Sequence, residues 1–178
     1  MSNERVFIGL GANLGESATT LLRAWEEIAA LDAVAAVQLS SPYVTAPVAM
    51  SSTNLFCNAV AEVRTTLPPE LLLENLLTIE ARLGRVRDAR ASGYQDRHID
   101  LDIIYYGQQV INTIELVLPH PQRCLRLFVL TPLAEIAPEF VDVQRAESVA
   151  HLEQQLRAAI DQGREEAQSI DKISWQKT

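Results

Sequence analysis

The segment from Gly84 to Asp102 runs from a glycine-terminated helix, through an arginine-rich loop, into an apolar strand interrupted by two aspartates. Successive strand side chains point to opposite faces, so Asp100 and Asp102 share one face, roughly 6–7 Å apart. Aspartate is depleted in strands, and the same face continues with Ile104 and Tyr106, so it is not simply a solvated surface. The segment predicts a strand that places two carboxylates side by side in apolar surroundings.

Two carboxylates on one strand face suit hard cations, and nearby arginines suit phosphate. Such carboxylates can share Mg²⁺, and two ions about 3.5–4 Å apart clamp an in-line phosphoryl displacement. The loop arginines offer planar, permanently charged forks for phosphate oxygens; they are Arg85, Arg87, Arg90 and Arg97. The alternative is a solvated strand face and a helix end whose arginines complement the helix dipole. The arginine context favours nucleotide chemistry.

Length and composition fit a soluble enzyme-sized domain. The 178 residues suit a single domain over 1–178 with a substantial core. The sequence contains no apolar run near the roughly 20 residues that span a bilayer. The start, Met1–Arg5, lacks the basic and apolar regions of a signal peptide. We therefore expect a cytoplasmic protein without a membrane partner.

The charge distribution favours a small anionic ligand. A formal net charge of −8 argues against a large nucleic-acid surface, because such binding depends on phosphate neutralisation. Thirteen of the fifteen basic residues are arginines, and five of these fall between Arg82 and Arg97. Arg123 and Arg126 form a second group. Local arginine clusters on an acidic chain fit a small phosphorylated molecule better than a polymer.

The two cysteines predict neither a disulfide framework nor a zinc site. A cytosolic setting would keep Cys57 and Cys124 reduced. Cys57 lies among apolar residues, where a small buried side chain is the expected role. His120 and Cys124 have the i, i+4 spacing of helical metal ligands, but no second pair completes a zinc site.

Hydrophobic periodicity predicts a mixture of short strands and amphipathic helices. Strands are expected over 6–10, 34–39 and 58–64, the last two as a half-buried antiparallel pair. Four helices are expected. The apolar stripe of the first is Leu21, Leu22, Trp25, Ile28 and Ala29, and that of the second is Leu72, Leu76, Ile79 and Leu83, with Pro68 and Pro69 at its start and Gly84 at its end. The third covers 128–136, and the fourth runs through Leu152 and Leu156. Glu80 lies off the second stripe, towards the arginine loop.

The remaining segments predict connections, and together the elements favour an α+β sheet. Residues 41–54 show neither period, 106–109 predict a hairpin turn, and the polar residues 164–178 predict a frayed tail. Gly9, Gly11 and Gly15 do not fit the G-x-G-x-x-G dinucleotide fingerprint. A doubly wound dinucleotide fold is therefore rejected.

Eight stretches recur together in one known family. They are Ile8–Gly15, Ser41–Pro47, Phe56–Ala59, Ile79–Arg87, Arg97–Ile103, Leu118–Pro121, Arg126–Phe128 and Pro132–Pro138. In this order the chain resembles the 6-hydroxymethyl-7,8-dihydropterin pyrophosphokinase family of folate biosynthesis over nearly its whole length. The resemblance implies a monomer with an α+β, ferredoxin-like fold, whose central, mostly antiparallel sheet is flanked by helices.

The resemblance also implies a reaction and its phosphate-binding residues. Members of the family transfer the β,γ-diphosphate of ATP to the hydroxymethyl group of the pterin and leave AMP. By this likeness Asp100 and Asp102 hold two Mg²⁺ ions, and Arg85 and Arg97 join them as catalytic residues. The implied ATP contacts are Glu80, Arg87, Arg97, Ile103, His120 and Arg126.

A third set of residues is implied for the pterin. The backbone of Thr45 and Val48 and the side chain of Asn58 would bind its polar edge, since an amide both donates and accepts. Phe56 and Phe128 would sandwich the ring, with Asp100 beside it. For each aromatic residue, ordinary core packing is the alternative, and it is favoured when the resemblance is set aside.

The chain departs from the family in the loop before Arg97, which is about two residues longer than in a familiar member. Tyr94 stands where a tryptophan is frequent, Gln95-Asp96 replaces Gly-Pro, and Phe56 replaces a tyrosine. These departures leave the roles of Arg87, Arg90 and Tyr94 open. One hypothesis is a lid that closes over ATP, with Gly93 as its hinge.

Three other functions fit these residues less well. A non-catalytic pterin- or nucleotide-binding module on the same fold would be favoured if either aspartate or the flanking arginine were missing, and all are present. Another two-metal enzyme, such as a nucleotidyltransferase, would not explain Asn58, Phe56 and Phe128. An RNA-binding ferredoxin-like domain is disfavoured by the negative charge and by the lack of a basic, aromatic strand pattern.

Overall fold

The computed structural model describes residues 3–48, 52–85 and 96–175. In chain order the elements are β1 (Glu4–Ala12), α1 (Ser17–Ala29), β2 (Val34–Leu39), β3 (Tyr43–Thr45), β4 (Phe56–Thr65), α2 (Pro69–Arg82), β5 (Asp100–Tyr106), β6 (Ile111–Asn112), β7 (Val117–Leu118), a 3-10 turn (Arg123–Leu125), α3 (Leu127–Ile136), β8 (Val141–Asp142), β9 (Glu147–Ser148), α4 (Val149–Asp161) and β10 (Asp171–Lys172). Strands and helices form an α+β fold, as the sequence predicts.

An antiparallel sheet positions the two aspartates. The strand order is β10-β3-β4-β1-β5, and β2 also pairs with β4. β1 lies between β4 and β5, and it pairs with β4 from Glu4–Thr65 to Ala12–Cys57. On its other side β1 pairs with β5, with Gly11 opposite Asp100 and Gly9 opposite Asp102. Both aspartates therefore stand beside positions of β1 that have no side chain.

The sheet has a hydrophobic core on each face. Leu21 of α1 and Leu76 of α2 pack in one core, and Leu130 of α3 and Leu152 of α4 pack in the other. Strand β4 is buried at every position except Arg64. The expectation that β4 is only half buried is wrong, because helices cover both of its faces.

The predicted helices form where periodicity and end signals coincide. Helix α2 begins at Pro69, buries Leu72, Leu76 and Ile79, and stops before Gly84, whose φ is +91°. Helix α1 buries Leu21, Ala24 and Ile28, whereas Ala29 is exposed, so its apolar stripe is narrower than predicted.

Three connections differ from the sequence-based expectation. The segment 41–54 contains β3, a strand of three residues that pairs with the next strand, β4. The turn after β5 leads to β6, which pairs with β7 and not with β5. The segment 164–178 is docked rather than frayed over its described part, because β10 pairs with β3.

Candidate active site

Strand β1 leaves room for the site through its two glycines. A methyl group built on Gly11 would approach Asn58 Oδ1 to 3.0 Å, and one on Gly9 would approach Ile104 Cδ1 to 3.1 Å. Both contacts are tighter than ordinary van der Waals separation. A larger residue at either position would displace a side chain that lines the site.

Asp100 lies between two arginines. The Arg85 guanidinium forms an ion pair with Asp100 Oδ1, and Arg97 Nη1 lies 3.0 Å from Asp100 Oδ2. Arg85 also donates to the Ile99 carbonyl at 2.8 Å, which fixes its position at the start of β5. The two guanidinium groups therefore neutralise the charge of Asp100, which is one of the two predicted metal ligands.

Glu80 is buried below this cluster, with 1% of its surface exposed. Its Oε1 accepts a hydrogen bond of 2.7 Å from the Leu101 N–H of β5 and lies 3.5 Å from Arg85 Nη1. The sequence predicts Glu80 off the apolar stripe of α2, whereas the structure buries it in that helix. Its carboxylate does face Arg85, on the side of the arginine loop. Glu80 binds protein groups here, and so it supports the site from below.

Asp102 is held in a different electrostatic environment. Burial raises its pKa above the ordinary aspartate value, and the Asp100 carboxylate raises it further, while Arg97 and Arg126 oppose the shift. Two carboxylates that disfavour each other's charge provide oxygen ligands whose repulsion a divalent cation would relieve. The donor set therefore fits Mg²⁺.

His120 completes one wall of this site. Its backbone N–H donates to the Ile104 carbonyl at 2.9 Å, and its imidazole Nδ1 accepts the Gln122 backbone N–H at 3.2 Å. Burial lowers the pKa of His120 to about 4, and the charge of Arg126 adds to the decrease. The imidazole is consequently neutral at neutral pH.

Two adjoining cavities collect most of the predicted residues. The first, which we call the aromatic cavity, has about 340 Å³ of space and is lined by Thr45, Ala46, Val48, Phe56, Asn58, Arg97, Arg126 and Phe128. The second, which we call the carboxylate cavity, has about 420 Å³ and is lined by Gly9, Leu10, Gly11, Asn58, Ala59, Arg97, Asp100, Asp102, Ile104, His120, Arg126, Phe128 and Val129. The cavities share Asn58, Arg97, Arg126 and Phe128.

The aromatic cavity combines flat apolar walls with polar groups. The Arg97 guanidinium lies 5.7 Å from the centre of the Phe56 ring, and that of Arg126 lies 5.4 Å from the centre of Phe128. Asn58 Nδ2 donates to Thr45 Oγ1 at 2.9 Å, which orients the amide. Such a cavity suits a planar heterocycle with a hydrogen-bonding edge.

Asn13 is a site residue that the sequence reasoning did not assign. Its Oδ1 accepts the Arg97 N–H at 2.8 Å, its N–H donates to the Arg97 carbonyl at 3.1 Å, and its Nδ2 donates to Asp96 at 2.6 Å. Asp96 also accepts from Asn54 Nδ2 at 3.0 Å. The signal was present, because Asn13 lies in the first stretch shared with the family, but its partner is 84 residues away.

Within the described residues, two predicted ATP contacts, Glu80 and Ile103, line neither cavity. The Ile103 side chain is buried in the core under α1 and α2, because it alternates with Asp102 along β5. Arg87 lies outside the described residues, as do Arg90, Gly93 and Tyr94 of the predicted lid.

The described residues contain no cluster of three or more His, Cys, Asp or Glu side chains that could hold a metal ion. In the same part of the chain no helix combines the length and the apolar character needed to cross a membrane.

The comparisons with known proteins agree with these features. A profile of the 7,8-dihydro-6-hydroxymethylpterin-pyrophosphokinase (HPPK) family matches residues 7–138. A protein named 2-amino-4-hydroxy-6-hydroxymethyldihydropteridine pyrophosphokinase from Methylorubrum extorquens is 42% identical over 137 residues, covering 77% of this chain and 85% of the relative. A protein of the same name from Bacillus subtilis is 39% identical over 137 residues, covering 77% and 80%.

A solved structure supports the fold. Wild-type Plasmodium falciparum HPPK-DHPS with STZ-DHP has a TM-score of 0.73 to this chain, covering 91% of it and 45% of the larger protein. The sequence identity is 12%, so this similarity shows the fold alone.

Proposed function

Because the chain belongs to the 7,8-dihydro-6-hydroxymethylpterin-pyrophosphokinase family, we propose that it transfers diphosphate from ATP to 6-hydroxymethyl-7,8-dihydropterin in folate biosynthesis. The observation that carries the proposal is the junction of the two cavities at Asn58, Arg97, Arg126 and Phe128. A ring bound in the aromatic cavity would present its hydroxymethyl group to phosphates in the carboxylate cavity. The single domain, cytoplasmic location and monomeric state expected from the sequence belong to the same proposal.

The aromatic cavity would bind the pterin. Phe56 and Phe128 supply apolar faces for the ring, and the Asn58 amide meets its hydrogen-bonding edge. Thr45 and Val48 line the same cavity and offer backbone groups there. Phe56 lacks the hydroxyl of a tyrosine, so ring recognition at this position rests on stacking.

The carboxylate cavity would bind the phosphates. Asp100 and Asp102 would hold Mg²⁺, two ions by resemblance, which supplies charge neutralisation for the phosphoryl oxygens. Arg97 borders both cavities, and Arg85 approaches Asp100 from the other side. Both guanidiniums would bind the transferred diphosphate.

The nucleotide would lie along the wall formed by His120 and Arg126. Because Nδ1 of neutral His120 accepts the Gln122 N–H, its Nε2 carries the proton and can donate a hydrogen bond to the nucleotide. Arg126 adds positive charge to the same cavity. Glu80 would act by positioning Arg85 and β5. Ile103 would contribute through its backbone, because its side chain is in the core. Arg87 would approach ATP from the loop.

The proposed reaction is a single displacement at the β-phosphorus. The pterin hydroxyl oxygen forms a bond to the β-phosphorus, and the bond from that phosphorus to the oxygen bridging the α-phosphate breaks. AMP leaves with the electron pair, and the hydroxyl proton passes to solvent. The residues of the chain serve this step by alignment and charge stabilisation.

The test is an assay of AMP formed from ATP, Mg²⁺ and the pterin. Asp100→Asn and Asp102→Asn should each lower kcat by at least about a hundredfold, because each removes a charged metal ligand. Asp161→Asn, at the exposed end of α4, is the matched control. Chelation of Mg²⁺ should stop turnover of the native protein. ADP instead of AMP would overturn the mechanism, and saturable pterin binding without turnover would favour the binding-module alternative.

A further inference from the structure

The segment 168–175 near the C-terminus contacts both walls of the aromatic cavity, and it lies beyond the residues that the family profile matches. We call it the strap. We propose that the strap sets the width of the aromatic cavity and that Gln168 and Ser169 are positioning residues for pterin binding. This inference rests on the proposed function of that cavity.

Gln168 connects the strap to the wall that carries Arg126 and Phe128. Its Oε1 accepts the Leu127 N–H at 2.9 Å, and its Nε2 donates to the Leu125 carbonyl at 2.9 Å. One side chain therefore bonds to the backbone on both sides of Arg126. Leu127 is the first residue of α3, whose N–H groups lack partners within the helix. The side chain thus fixes the start of α3, one residue before Phe128.

Ser169 connects the next position of the strap to the opposite wall. Its Oγ accepts the Ala46 N–H at 3.1 Å. Ala46 lines the aromatic cavity between Thr45 and Val48, the two residues expected to present backbone groups to the pterin. Adjacent strap residues therefore hold opposite walls, and their separation along the chain fixes the distance between those walls.

The strap is itself anchored along its length. β10 pairs with β3 through Asp171–Val44 and Lys172–Tyr43, and the Ile173 N–H donates to the Pro42 carbonyl at 2.9 Å.

Two side chains anchor the strap to the cores. The Trp175 indole donates to the Ser40 carbonyl at 3.0 Å and packs against one core. Ile170 packs against the other core. Because the strap is held at all of these points, it can fix the positions of the cavity walls, whereas a frayed tail could not.

The experiment measures pterin binding at equilibrium together with steady-state AMP formation. Gln168→Ala and Ser169→Ala should each raise the pterin Kd and KM roughly three- to tenfold, because each removes neutral hydrogen bonds that fix one wall. We expect kcat to stay within about twofold, because the bound geometry of the phosphates is unchanged. A role in general stability alone would not separate KM from kcat in this way.

Matched variants decide between positioning and general disruption. Ser169→Thr keeps the hydroxyl and should bind the pterin as the native protein does. Gln168→Glu keeps an acceptor for Leu127 but loses the donor, so its Kd should be intermediate, and it serves if Gln168→Ala does not fold. Asp171→Asn, an exposed change on the same strap, should leave Kd unchanged.

Two outcomes would overturn the proposal. One is a native-like Kd in both alanine variants, and the other is an equal loss in Asp171→Asn. These results are distinguishable from failure of the proposed function. If the native protein binds the pterin but forms no AMP, the reaction is wrong while the Kd comparison still tests the strap.

Discussion

Gly9 and Gly11 face Asp102 and Asp100 across the β1–β5 pair, and both line the carboxylate cavity. Their spacing at first suggests a dinucleotide fingerprint, which the third glycine does not complete. Their requirement is steric: glycine lets Asn58 and Ile104 approach β1. The two glycines stand out in the sequence, but only the pairing of β1 with β4 and β5 shows that they make room for the Asn58 and Ile104 side chains.

Gly11→Ala should weaken pterin binding. The added methyl would meet Asn58 Oδ1 at 3.0 Å, so the amide that lines the aromatic cavity must shift from its position. We expect the pterin KM to rise about tenfold with little change in the KM for ATP, as measured by AMP formation. Gly9→Ala is the control, because its methyl displaces the end of the flexible Ile104 side chain instead. An equal pterin KM in both variants would contradict this account of Gly11.

His120 should titrate well below an ordinary histidine. Burial lowers its pKa to about 4, whereas the unfolded chain has the ordinary value near 6.5. The folded state thus resists protonation, so stability present above about pH 6.5 is lost as the pH falls towards 4. NMR titration of the imidazoles, assigned with His120→Gln, tests the pKa directly.

The same shift predicts a difference in unfolding. Between pH 7 and pH 4.5 the native protein should lose about 1–3 kcal/mol more free energy of unfolding than His120→Gln. Urea denaturation at the two pH values measures this difference, and the carboxylates that titrate in this range cancel in the comparison. A His120 pKa of 6 or higher would show that the imidazole is solvated.

At the scale of elements, strand β5 depends on a helix for its first residues. Glu80 of α2 accepts the Leu101 N–H at 2.7 Å in a buried position. Glu80→Ala would leave that N–H without its acceptor, and we expect a loss of about 1–3 kcal/mol in the free energy of unfolding. Glu80→Gln keeps an acceptor and should lose less. Glu74→Ala, at an exposed position of the same helix, should change stability by less than about 0.5 kcal/mol in denaturant titrations.

Elements with strong local sequence signals were predictable, whereas short strands that form only by pairing with another strand were not. Helix α2 follows from its apolar stripe, Pro69 and Gly84, all of which act within 16 residues. Strands β3 and β10 have three and two residues, too few to show a period. β3 exists because it pairs with β4 across the connection between them, and β10 exists because it pairs with β3, which is far away in the chain. The polarity of the last residues predicted a frayed tail, but Ile170 and Trp175 attach this segment to the two cores.

The same distinction holds for the candidate site. Asp100, Asp102 and Arg97 lie in one short motif, and the structure brings them to one cavity with His120 and Arg126. The interpretation of Phe56 and Phe128 as ring-binding residues needed the family resemblance, because periodicity alone favoured core packing. Asn13 escaped prediction because its contacts with Arg97 cross 84 residues.

At the scale of the whole molecule, Asp142 joins three separate parts. It accepts hydrogen bonds from Tyr105 of β5 at 2.7 Å and from Arg123 of the 3-10 turn at 2.5 Å. It also accepts the Gln144 and Arg145 N–H groups of its own hairpin at 2.8 and 2.9 Å. Arg123 in turn donates to the His120 carbonyl at 3.2 Å. The far hairpin is therefore connected to a wall of the candidate active site.

Asp142→Ala should destabilise the whole fold by about 3–5 kcal/mol, because it leaves the buried Arg123 charge without its partner. Asp142→Asn keeps the shape and some acceptor capacity, so it should lose less. Although burial opposes ionisation, bonds from Arg123 and Tyr105 lower the pKa of Asp142 to about 2. Its contribution is thus complete above about pH 4 and is lost as the pH falls through 2. Denaturant unfolding at pH 7, with Asp161→Asn as the exposed control, measures the loss. A change below about 1 kcal/mol for Asp142→Ala would mean that the three parts are held together by apolar packing alone.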